Sequence, residues 1–322
     1  MLLIINGKSN EHPTLRRTVM QLRKEGIPLD VRVTWEAGDV ARFIHEAAAK
    51  ECRRVIVGGG DGTLHEAVNG LMALPPDQRP TLGIVPLGTA NDFASAAGIP
   101  ADPGEALTFA VRGTSFPIDV GLINDVYFLN MASGGFGAKV TASTPAALKK
   151  TLGGGAYSLV GAFRFLNFSP YRGRLKLPGL EEDVSTVIFA IGNGRQAGGA
   201  QELAPRAYID DGLLDVLVLK SFRIWELPRL IRDLERLAPN GKLVRYFQVP
   251  SLEFECDEAM PINLDGEMQE YEHISMQVQP LALDVTLPKN CKLLLRNLGD
   301  SPRDADAEEF INADADVFHK ED

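Results

Sequence analysis

The sequence predicts an α/β protein with an N-terminal doubly wound parallel-sheet domain and a C-terminal, mainly antiparallel β domain. Three observations carry that expectation. Short apolar runs alternate with amphipathic stretches over the first third of the chain. Two of those runs end in glycine-containing corners that lead into helical patterns. Beyond Ile118 the apolar segments are separated instead by Gly, Pro, Asn and Asp turns, which suit antiparallel connections.

Leu2 to Ile5 reads as the first strand, and Thr14 to Lys24 as the helix that follows it. Val31 to Val33 and Val55 to Val57 are the next strands, with Val40 to Lys50 as the helix between them. Leu64 to Leu74 is helical, Leu82 to Val85 a strand, and Asn91 to Ala97 and Gly104 to Val111 are helices. Strands joined through helices imply a parallel sheet covered on both faces, with ligands expected at the strands' carboxyl ends. In the second part, Val126 to Asn130, Val184 to Gly192, Leu213 to Lys220, Ser251 to Cys256, His273 to Val278 and Leu281 to Leu287 read as strands. Helical patterns interrupt them at Thr144 to Leu152 and Trp225 to Leu237. The expected division is residues 1–120, residues 121–290, and a return segment with an acidic tail over 291–322.

At 322 residues, 45% apolar and 24% charged, the chain has material for two cores. No run approaches the roughly 18 to 20 apolar residues of a membrane span, and the apolar start is too short for a signal-peptide core. Cys52, Cys256 and Cys291 are odd in number and widely spaced, which argues against a disulfide framework or thiolate metal site and fits a reducing cytoplasm. The net charge of −10 is concentrated from Asp300 to Asp322, where nine acids face two bases, so the tail is expected to be solvated. An acidic body without a basic run excludes nucleic acid as a partner. The five histidines show no metal-binding or triad spacing.

The strongest local signal is Val55-Ile56-Val57-Gly58-Gly59-Gly60-Asp61-Gly62-Thr63, a strand running through four glycines into a helix. Glycines let a ligand approach the backbone, and the unpaired amides at the head of a helix attract anions, so phosphate is the natural guest. The loop is neither a GxGxxG fingerprint nor a Walker A sequence. Asp61 would repel a phosphate unless a divalent cation such as Mg²⁺ offsets it; it could equally cap the helix beginning near Leu64. The next strand ends in Pro86-Leu87-Gly88-Thr89-Ala90-Asn91-Asp92-Phe93, where Thr89 offers a hydroxyl and Asn91 and Asp92 open a new helix.

These stretches, together with Leu3 to Ser9, Val31 to Glu36, Asn130 to Gly137, Ile191 to Gly198, Asp210 to Leu214 and Asn263 to Glu267, resemble the YegS-like lipid kinases of the diacylglycerol kinase catalytic-domain family. The resemblance extends to about Arg296. It implies an ATP-binding α/β domain followed by a β-sandwich of the NAD kinase/diacylglycerol kinase kind. It also implies ATP contacts at Thr34, Gly60, Asp61, Gly62, Thr63, Leu64, His65, Glu66 and Thr89, with Asn6 to Ser9 beside them. A metal site using carbonyls and one carboxylate is implied at Tyr208, Asp211 and Leu213; oxygen donors suit Mg²⁺ or Ca²⁺ rather than zinc. Glu267 falls on the proton acceptor.

Asn263-Leu264-Asp265-Gly266-Glu267 reads by itself only as a turn presenting two carboxylates. Asp61, Asp92 and Asp265 are the candidates for organising a metal and its waters, and Asp92 and Asp265 join Glu267 as catalytic candidates. The expected partners are ATP and a membrane lipid, phosphatidylglycerol- or diacylglycerol-like, reached from the cytoplasmic face. Phe163, Phe165, Leu166 and Phe168 with Arg164 could touch acyl chains or form a core helix face. Two rivals share the loops: a kinase of a soluble acceptor resembling NAD kinase, and a non-catalytic nucleotide-binding regulator. The regulator has no need of Asp265 and Glu267.

Overall fold

The computed structural model describes residues 1–9, 11–135, 170–197 and 201–295. The expected helix at Thr144 to Leu152, the cluster at Phe163 to Phe168 and the acidic tail lie outside these residues.

The first part is built from β1 (Leu2–Ile5), α1 (Pro13–Lys24), β2 (Asp30–Val33), α2 (Asp39–Ala48), β3 (Arg54–Gly59), α3 (Asp61–Met72), β4 (Thr81–Pro86), α4 (Asp92–Ala97) and α5 (Pro103–Arg112). Its parallel strands lie in the order β2-β1-β3-β4, with Leu2 opposite both Asp30 and Val55 and Arg54 opposite Thr81. Central strands β1, β3 and β4 are almost wholly buried, which is why they read as unbroken apolar runs. The helices bury one stripe each, as Leu15, Val19 and Leu22 do in α1. α5 starts where Pro103 supplies a preset φ and Asp102 accepts from Gly104 N and Glu105 N, both at 2.9 Å.

The second part contains β5 (Ser115–Ile123), β6 (Val126–Phe128), β7 (Met131–Gly135), β8 (Tyr171–Leu177), β9 (Leu180–Gly192), the two-residue pair β10 (Gln196–Ala197) and β11 (Gln201–Glu202), β12 (Leu214–Lys220), α6 (Leu227–Arg236), β13 (Val244–Val249), β14 (Ser251–Leu264) and β15 (Glu267–Thr286). Strand β15 is a single strand where two were expected, at His273 to Val278 and Leu281 to Leu287. Its register against β5 slips between Gln279 and Leu283, and Leu281 has φ 47°, so an irregularity imitates a turn without ending the ladder. Strand β15 also bridges back to β4 through Val285 and Leu82, which ties the antiparallel ladders to the parallel ones. Strands β5, β7, β8 and β13 have no counterpart in the sequence reading; β5 contains Pro117, and β8 interleaves Arg172, Arg174 and Lys176 with buried positions.

Candidate active site

In the order β2-β1-β3-β4, the chain leaves β1 to one side and returns on the other, which opens a crevice at the carboxyl ends of β1 and β3. Asn6 stands just beyond β1. Its amide donates to Gly58 O (2.8 Å) and its side chain donates to Thr63 Oγ1 (2.8 Å). Gly60 precedes α3 in an extended conformation, leaving the helix's first amides without a carbonyl one turn back. Close approach explains the glycines here: a Cβ on Gly88 would lie 2.4 Å from Gly60 Cα, and one on Gly59 would lie 2.5 Å from Thr63 Oγ1. The two corners therefore touch backbone to backbone.

Asp61 does not cap its own helix. Its carboxylate accepts from Asn91 N and Asp92 N, both at 2.9 Å, and so caps α4 from across the crevice. Burial, followed by the neighbouring Asp92 charge, pushes Asp61 up to about 6. Asp92 is itself buried, so the corner concentrates negative charge where cationic compensation would be favourable.

Thr34 Oγ1 accepts from Gly7 N at 3.1 Å. The following turn is pinned by Asp39, whose Oδ2 accepts from Trp35 N (2.7 Å) and Glu36 N (3.1 Å), bonds that with Arg42 hold its carboxyl at about 2. Leu64 faces the core, and Glu66 Oε1 accepts from Val40 N in α2 (3.1 Å), so both side chains serve the scaffold. Thr89 is exposed beside the second corner. His65 Nδ1 is buried and has no hydrogen-bond partner among the described residues.

The Asn263 to Glu267 segment turns β14 back into β15, with Asp265 at φ 48° and Gly266 at φ 105°. Asp265 Oδ1 accepts from Asn130 N (3.0 Å) and Met131 N (2.9 Å), and Oδ2 from Leu129 N (2.6 Å). Burial pushes the Asp265 carboxyl up, against the opposing pull of these amides and of His65. Asp265 thus clamps the turn to the segment before β7. Glu267 is exposed at the start of β15, and a Cβ on Gly62 would lie 2.9 Å from its Oε1. This places a carboxylate against the head of α3, beside glycine corners that lie 179 (Gly88) to 209 (Gly58) positions away in the chain, a juxtaposition no local rule of folding provides. The Asp265 charge also contributes to the rise at Asp61.

Tyr208, Asp211 and Leu213 form a separate neighbourhood. Asp211 Oδ1 accepts from Leu213 N (3.0 Å), Gly212 N donates to Asp119 Oδ2 (2.7 Å), and Leu281 N donates to Asp119 Oδ1 (2.7 Å). Tyr208 is buried with the Arg195 guanidinium 4.6 Å from its ring centre. Burial first, then the Asp215 charge, pushes Asp211 up to about 7, with Asp119 and Asp210 adding to the effect. The chemistry is that of a hard-cation neighbourhood, all oxygen. No group of three or more acidic, His or Cys side chains converges into a metal cage among the described residues, so a cation here would rely on main-chain carbonyls as well. Sequence reasoning missed Asp119 and Asp215. Their signal was available: each is an acid inside an apolar strand, a costly placement unless it has partners.

The parallel ladder with its glycine corners, joined through β15 to the antiparallel ladders that follow, defines a two-part α/β fold with a crevice at the strand ends. The diacylglycerol kinase catalytic domain matches residues 1–123, and the YegS C-terminal NAD kinase beta sandwich-like domain matches residues 130–287. The chain belongs to the YegS-like lipid kinases. It is 50% identical to a probable YegS-like lipid kinase of Chromohalobacter salexigens, covering 91% of this chain and 94% of that one. A Shewanella frigidimarina protein of the same description is 44% identical over 92% of this chain and 96% of its own. The crystal structure of a putative diacylglycerol kinase from Bacillus anthracis is similar with TM-score 0.74 at 28% identity, covering 90% and 97% of the two chains. No helix among the described residues is long and apolar enough to cross a membrane.

Proposed function

We propose that this protein transfers the γ-phosphate of ATP to the hydroxyl of a phosphatidylglycerol- or diacylglycerol-like lipid, in a Mg²⁺-dependent reaction. The observation that carries the reading is the Glu267 carboxylate against Gly62 at the head of α3, beside both glycine corners. ATP phosphates are received by the amides of Gly60 to Thr63, near Thr89 and Thr34. The lipid hydroxyl enters on the Glu267 side, and Glu267 accepts its proton as the oxygen attacks the γ-phosphorus and ADP departs. Asp265 holds Glu267 in place through its three amide contacts.

The residues present fit a divalent cation, since Asp61 and Asp92 concentrate charge at the phosphate corner and Asp211 is pushed up by burial and Asp215. When bound, Mg²⁺ would neutralise phosphate charge at the corner. At the second neighbourhood, Asp211 with the carbonyls of Tyr208 and Leu213 would hold Mg²⁺ or Ca²⁺. In this reading residues 1–120 bind ATP, residues 121–290 receive the lipid, and the protein works at the cytoplasmic face of a membrane.

A transfer assay with labelled ATP against a panel of lipids in mixed micelles tests the proposal. Label is expected on a hydroxyl-bearing lipid, with transfer lost in Glu267→Gln. ATP consumption indifferent to lipid would sink it in favour of a soluble acceptor.

A further inference from the structure

Helix α6 is fastened to the second domain along one side. Leu230 is buried, Leu227 and Leu234 pack against the same apolar cluster, and Asp233 Oδ2 accepts from Leu243 N (2.8 Å) and Val244 N (3.4 Å). The other side is different in kind. Trp225, Arg229, Arg232 and Arg236 recur at intervals of four, three and four, the spacing that aligns side chains on one helical face, and all four are exposed. Trp225 sits in the helical turn Ile224–Glu226 that leads into α6. It is 68% exposed, with the Arg223 guanidinium 5.2 Å from its ring centre.

A lone exposed aromatic is ordinary on a protein surface. Here, however, it heads a row of three arginines on a chain whose net charge is −10. Among the described residues none of Arg223, Arg229, Arg232 and Arg236 is in an ion pair. Solubility does not call for four cations outside any ion pair on an otherwise acidic body. Basic side chains flanking an indole match the head-group region of an anionic bilayer: the indole settles at the interface while guanidinium groups meet lipid phosphates.

We propose that this face of α6, led by Trp225, is the surface on which the protein docks to an anionic membrane. The proposal rests on the lipid-acceptor reading above only for its purpose, because a lipid acceptor is met at a membrane surface. The occupant is the lipid surface itself rather than another protein.

The test uses the full chain and vesicles of phosphatidylcholine with about a third phosphatidylserine, which carry no acceptor hydroxyl. In a Trp35→Phe background Trp225 is the sole indole, so its emission is expected to shift to the blue on anionic vesicles and to stay unchanged on pure phosphatidylcholine. Arg229→Gln/Arg232→Gln/Arg236→Gln should weaken sedimentation with anionic vesicles on the order of a hundredfold, while retaining micelle-based lipid phosphorylation. Undiminished vesicle binding by the triple variant, or an emission unmoved on bound vesicles, overturns the docking surface. Stripe-dependent binding without phosphorylation of any lipid leaves the surface standing and removes the acceptor reading. Lipid phosphorylation in micelles with stripe-independent vesicle binding does the reverse.

Discussion

Two acidic regions of this molecule look alike in charge and differ in how their carboxylates are held. At the crevice, Asp61 is held by the amides of Asn91 and Asp92, whereas Glu267 lies exposed against Gly62 with no side-chain hydrogen bond among the described residues. Around Asp211, Asp119 spends both oxygens on main-chain amides and Asp215 accepts from Tyr246 OH (2.6 Å) and Gln248 Nε2 (3.2 Å). The crevice leaves a carboxylate and helix amides facing an opening; the Asp211 region is knitted into the surrounding backbone. The difference teaches that chemistry and architecture make separate uses of buried charge, and it forecasts which variants lose turnover and which shift stability.

The sharpest break would come at Glu267. Glu267→Gln keeps size and exposure but cannot take a proton, so turnover is expected to fall by about a thousandfold while nucleotide affinity measured by calorimetry stays within twofold. Unchanged turnover would erase the distinction between the two regions. Asp265→Ala should affect both properties. It removes acceptors from three main-chain amides and leaves alanine at φ 48°, so denaturant unfolding should show a loss of about 3 kcal/mol, with turnover down at least tenfold.

Gly62→Ala sharpens the comparison from the crevice side. The added methyl meets Glu267 Oε1, and alanine is the better helix former, so turnover should drop roughly tenfold while thermal stability holds or rises slightly. Steady-state kinetics beside a melting curve would check it.

Asp211→Asn addresses the other region through pH. In the folded protein Asp211 titrates at about 7, above its ordinary value of 3.8, so the folded state binds the proton more tightly than the unfolded chain does. Stability contributed by that proton is present at low pH and is lost as pH rises through 7. The variant should therefore melt a few degrees higher than the parent at pH 8 without added cation, and the gap should close towards pH 4. Mg²⁺ or Ca²⁺ should raise the parent's melting temperature at pH 8 and leave the variant's nearly unchanged; an equal rise in both would remove cation binding from Asp211.

Much of the first domain was legible because its signals are local. A buried parallel strand must be apolar along its whole length, so Leu2 to Ile5, Val55 to Val57 and Leu82 to Val85 announced themselves. The second domain was read less well because antiparallel strands with one wet face mix polar and apolar residues, as β8 does, and because Leu281 bends β15 without breaking it. The Asp61 cap reading went astray for a related reason. Capping was sought within Asp61's own helix, whereas the groups it satisfies belong to Asn91 and Asp92, brought alongside by strand order.

The sequence by itself determined the glycine corners, the alternation that builds a parallel sheet, and the family resemblance, because each is written in short stretches of consecutive residues that can be read without knowing how the stretches pack. Only the tertiary structure decided that Gly62 leaves room for Glu267, that Gly88 is needed so that its corner can touch Gly60, and that Asp119 and Asp215 surround Asp211. Those facts depend on which strands become neighbours. Strand pairing is settled by the burial of whole faces, which no short stretch of chain encodes alone.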